Sequence, residues 1–67
     1  TQRVELVRKA LGQLDPIYQN ILVLRELEGL SYEEIVQSLG IGIGTVKSRL
    51  ARARAELKQV LIEMDVI

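Results

Sequence analysis

From Gly29 to Gly44 the chain reads GLSYEEIVQSLGIGIG, and this stretch restricts the possible fold more than any other. Ser31 followed three places later by Glu34 is a capping box, in which each side chain satisfies a backbone amide that a new helix leaves free. A helix therefore starts at Ser31 and runs to Leu39, where Gly40 supplies the left-handed residue that stops it. A second helix is expected near Ile43, with Gly42 as an adequate N-cap. Its apolar series Val46, Leu50, Ala53, Leu57, Val60, Leu61 and Met64 keeps the three-four rhythm for about five turns. Two helices joined by Gly40–Gly42, the first too short to stand alone, must pack against each other and against something else.

The something else lies upstream. Val4, Val7, Leu11 and Leu14 repeat at helical spacing and predict a helix over about Val4–Gln13. Asp15-Pro16 then reads as a helix start, because the carboxylate accepts from free amides and proline suits the first turn. That helix is expected to run to about Glu28, with Ile17, Ile21, Leu24 and Leu27 on one face and Tyr18 and Leu22 widening it. Gly29 ends it, and Leu30 folds back as the apolar contact of the cap. The expectation is an all-α, four-helix domain with no strand.

Sixty-seven residues make a single domain with a thin core. Cysteine and histidine are both absent, which removes disulfides, thiol chemistry and nearly all zinc sites. No convergent acid-base or nucleophile set is visible, so an enzyme is not expected and no cofactor is called for. No apolar run approaches a membrane span and no signal-peptide pattern opens the chain, so a cytoplasmic setting without membrane insertion is expected. Helical character begins within a few residues of Thr1, as in a domain cut from a longer chain. The tail VLIEMDVI is too apolar for a solvated end and is expected to pack on the first helix or to meet a partner.

Net charge is zero and the pI is about 6.1, a poor match to nucleic acid at first sight. Charge is nevertheless segregated. Lys47, Arg49, Arg52, Arg54 and Lys58 face only Glu56 within residues 41–58, whereas Asp15, Glu26, Glu28, Glu33 and Glu34 face only Arg25 within residues 15–40. Binding follows the local field rather than the sum.

At about 100° per residue, the side of the last helix opposite Val46, Leu50, Ala53 and Leu57 carries Ser48, Ala51, Arg52 and Ala55. Lys47, Arg54 and Lys58 line one flank, and Arg49 with Glu56 the other. Small residues on the outermost line with long cations beside them let a backbone enter a groove while the cations reach bases or phosphates. The pair of helices is thus a candidate helix-turn-helix over about residues 31–58. Glu34 is assigned to capping. Arg25 is expected to pair with Glu28 or with the end of its own helix. Tyr18 belongs to the core, whereas Tyr32 in a first turn can offer its hydroxyl to a phosphate. Gly44, costly in a helix, suggests close approach of another backbone or of DNA.

The runs LVLRELEGLSYEEI and LGIGIGTVKSRLARARAEL resemble region 4 of the extracytoplasmic-function group of bacterial sigma-70-type factors. The resemblance covers about residues 14–60, and GTVKSRLARAR is its most specific part. It implies recognition of the −35 promoter element as part of an RNA polymerase sigma factor, docking on the beta flap of the core polymerase, and restraint by an anti-sigma factor. It places Lys47, Ser48, Arg49, Ala51 and Arg52 at the groove, with Arg52 foremost for base contact, and Thr45, Tyr32 and Glu33 at the DNA backbone or its edge. Two departures stand out: Gly42 where the family commonly has proline, and Val36 where it usually has alanine. Ala51 holds a position that is large in some members.

Two other readings compete. The output domain of a LuxR-type response regulator shares the four-helix plan but usually has histidine where this chain has Arg49. A helical protein-interaction module without DNA binding would dock through the first helix and the apolar tail.

Overall fold

The computed structural model describes residues 2–65, apart from the side chain of Gln2. Four α-helices follow one another: α1 (Gln2–Leu11), α2 (Pro16–Leu22), α3 (Tyr32–Leu39) and α4 (Ile43–Glu63). No strand occurs among the described residues. The long α4 is the spine, and α1, α2 and α3 all pack against it.

Local chemistry sets the boundaries. Asp15 Oδ1 accepts from the Ile17 amide at 3.1 Å and Pro16 opens α2. The capping box is complete: the Glu34 amide donates to Ser31 Oγ at 3.1 Å, and the Ser31 amide donates to Glu34 Oε1 at 2.8 Å. Gly40, at φ 67°, ends α3 in the left-handed conformation. Gly42 precedes α4 in extended conformation and offers no side chain to cap it.

The main departure from expectation lies after α2. The expected single helix to Glu28 changes at Val23 into a π-helical turn, Val23–Leu27, in which the Glu28 amide donates to the Val23 carbonyl at 3.0 Å. A π turn holds one residue more than an α turn, so a uniform helical phase fails across it. Leu27, expected on the inner face, is 61% exposed, and Ile17 at the other end of that face is also exposed. Leu22, expected at the margin, is buried with Ile21. Gly29 then takes φ 70°, and the Leu30 amide closes back on the Leu24 carbonyl at 3.0 Å.

Ala10, Leu11, Leu14, Ile21, Leu22, Ile35, Val46, Leu50 and Ala53 form the core. Helix α1 ends at Leu11, two residues before the expected Gln13, and its Val4 is exposed where burial was expected. Val46, Leu50 and Ala53 are inaccessible to solvent, as the stripe on α4 predicts, while Leu57 is only half-buried. The apolar tail returns to the body of the domain at Val60 and Met64. Helix α1 packs on α4, Val60 lies against the core, and Gln13 Nε2 sits 3.6 Å from Met64 Sδ. The last two tail residues, Val66 and Ile67, lie outside the described residues.

Candidate nucleic-acid interface

Burying Val46, Leu50 and Ala53 turns the opposite side of α4 to solvent. Thr45, Lys47, Ser48, Ala51, Arg52 and Arg54 are all exposed there, and Arg49 is half-buried on the flank. Ser48 Oγ donates to the Thr45 carbonyl at 3.2 Å, which turns the hydroxyl back on its own helix and leaves its lone pairs as acceptors. Arg52 Nε lies 3.8 Å from Glu56 Oε1 one turn on, with the Arg52 side chain 67% exposed. So loose a surface pair contributes little and gives way easily to a stronger acceptor.

Arg54 is different. Its Nε and Nη2 both donate to Glu26 Oε1, at 3.2 and 2.9 Å. Donating to Glu26 holds the guanidinium more firmly protonated than usual; partial burial opposes this, and Tyr32 adds to it. Among the described residues, Arg54 is the one cation expected at the groove that an acid from another element holds. Glu26 carried no signal in the sequence, because only the fold brings together residues 28 positions apart.

Tyr32 and Glu33 open α3. Glu33 is exposed beside Val36, Gln37 and Ile43, with which it lines a shallow hollow between α3 and the start of α4. Tyr32 is half-buried, and the Arg25 guanidinium lies over its ring, 4.8 Å from the centroid. The same Arg25 donates through Nη1 to the Leu30 carbonyl at 2.7 Å. This corrects the expectation of Glu28 or the end of its own helix: Arg25 reaches past both to the connection to α3, where a carbonyl and an aromatic face take the charge. Tyr18, expected in the core, is half-buried and packs against it. A Cβ built on Gly44 would meet nothing within 4 Å. No backbone of another element among the described residues therefore explains this glycine.

Among the described residues no group of acids could hold a metal ion, and no helix is long and apolar enough to cross a membrane. Two helices joined by a three-residue turn, with the core face of the second buried and its basic face exposed, define a helix-turn-helix domain of the DNA-binding class. More narrowly, the chain belongs to the family described as sigma-70, region 4, whose sequence model matches residues 4–57, and within it to the extracytoplasmic-function group. It is 46% identical over 55 residues to the ECF RNA polymerase sigma factor SigE of Mycolicibacterium smegmatis, covering 82% of this chain and 21% of that protein. It is 44% identical over 59 residues to the RNA polymerase sigma factor YlaC of Bacillus subtilis, covering 88% of this chain and 34% of that one. The ECF RNA polymerase sigma-E factor of Haemophilus influenzae is 58% identical over 49 residues, 73% of this chain and 26% of its own length. The chain thus spans a fifth to a third of these relatives. No solved structure matches.

Proposed function

We propose that this chain reads the −35 promoter element as region 4 of a bacterial RNA polymerase sigma factor directing transcription initiation. The observation that carries the reading is the division of α4: Val46, Leu50 and Ala53 are fully buried, while Lys47, Ser48, Ala51 and Arg52 are exposed to solvent. On this reading Arg52 contacts a base, Lys47, Ser48, Arg49 and Ala51 lie at the groove, and Thr45, Tyr32 and Glu33 meet the backbone or its edge. Arg54 borders the same surface, with its charge already met by Glu26. Gly44 lets the duplex approach.

The opposite end faces protein. Val4, Val7, Leu11 and Leu27, with Arg3 and Arg8 at the rim, line an apolar groove of about 370 Å³ between α1 and the π turn. We assign this side to the beta flap of RNA polymerase or to an anti-sigma factor. An anti-sigma factor that also covers Lys47–Arg54 would act by plain occlusion. The setting is cytoplasmic, and the domain acts by binding rather than by catalysis.

The test is a fluorescence anisotropy titration against duplexes carrying the upstream element and a scrambled control. Arg52→Ala is expected to lose about 1–3 kcal/mol on the cognate duplex and to relax base preference. Lys47→Ala is expected to weaken both duplexes alike and to flatten the salt slope by about one unit. The isolated domain is expected to bind weakly at physiological salt, tight binding requiring the effective concentration a polymerase tether supplies. Nanomolar affinity without polymerase would instead favour an independent regulator such as a LuxR-type output domain. Complete absence of salt-dependent binding would favour the interaction module.

A further inference from the structure

Lys47, Arg54 and Lys58 lie along one flank of α4, two turns and then one turn apart. A basic row on a recognition helix ordinarily counts as so many phosphate partners. Here the middle cation is covered by a carboxylate from the π turn, while neither Lys47 nor Lys58 has an ion-pair partner among the described residues. Glu26 and Arg25 both belong to the π turn Val23–Leu27. Adjacent in sequence, Arg25 goes inward to the Leu30 carbonyl and the Tyr32 ring, and Glu26 goes across to Arg54.

We infer that Glu26 is a charge brake on the recognition helix: it neutralises Arg54 in place, so that the helix releases one fewer counterion from DNA than its cations imply. The inference rests on the DNA-binding reading above and adds a residue outside the helix-turn-helix that sets its non-specific affinity. Counterion release depends on the net charge delivered to the phosphates. An arginine held at 2.9 Å by a carboxylate delivers almost none, whichever of its N–H groups still points outward. Specificity belongs to Arg52 and its neighbours and is untouched by the brake.

The experiment measures the affinity of the whole chain for a fluorescent duplex of arbitrary sequence over a range of salt concentrations. Glu26→Gln is expected to bind more tightly at low salt and to steepen the slope of log K against log salt by about 0.9. Glu26→Ala removes the same charge with a different shape and is expected to steepen it equally. The double variant Glu26→Gln/Arg54→Gln is expected to return to the parental slope. If Arg54 already neutralises a phosphate, Glu26→Gln leaves the slope unchanged and the double variant falls below the parent by about the same amount, which overturns the brake alone. A parent chain that binds no duplex overturns the DNA-binding reading and the brake together. Both side chains are about half exposed, so these variants are expected to stay folded, as circular dichroism would show.

Discussion

The guanidinium of Arg25 lies 4.8 Å from the centre of the Tyr32 ring while donating to the Leu30 carbonyl at 2.7 Å, so one side chain fastens the π turn to the first helix of the helix-turn-helix. The contact is partly buried, and removing it leaves a carbonyl without its charged donor. Arg25→Ala is expected to cost about 1–2 kcal/mol. Arg25→Lys should recover little of it, since an ammonium lacks the planar fork that serves ring and carbonyl together. Chemical denaturation of the three proteins checks this; full recovery by lysine would show that charge alone matters.

Gly44 separates folding from binding. With open space around its missing Cβ and no left-handed backbone, Gly44→Ala is expected to raise stability by up to about 1 kcal/mol. The same methyl would stand where the duplex approaches, so affinity for every duplex is expected to fall. A variant that melts higher and binds as well as the parent would remove Gly44 from the interface.

Leu50 is inaccessible to solvent in the core that α3 and α4 share. Leu50→Ala is expected to cost about 2–5 kcal/mol. A domain of this size has little more than that in total, so the variant should be largely unfolded at room temperature. A melting temperature within a degree or two of the parent would contradict the packing described.

Ser31 serves one end of the shorter motif helix. Ser31→Ala removes the acceptor for the Glu34 amide and is expected to cost about 0.5–2 kcal/mol. Glu34→Gln keeps an acceptor for the Ser31 amide and should cost less. Thermal melts ranking the two in the other order would assign the start of α3 to packing instead.

Signals that act over three or four residues were legible in the chain. The Ser31–Glu34 box, the Asp15-Pro16 start, Gly29, Gly40 and the stripe Val46–Leu50–Ala53 all stand where the pattern puts them. The π turn was not legible, because Leu24 and Leu27 fit an ordinary helical face until tertiary packing adds a residue to the turn. The Arg25 contacts with Leu30 and Tyr32 cross the connection to α3, and the Arg54 pair spans 28 positions, so no helical spacing announces either. Charge segregation pointed to α4, but that Arg54 is held by Glu26, an acid from outside the motif, is visible only in the fold.

Within α4, the residues that hold the domain together and those proposed to read DNA alternate along the same two turns yet share no position: Val46, Leu50 and Ala53 on one side, Lys47, Ser48, Ala51 and Arg52 on the other. Base preference is therefore open to change by substitution at surface positions whose neighbours are water, while the scaffold stays constant. A lineage that duplicates this domain could acquire a new target sequence in single steps, each passing through a folded intermediate.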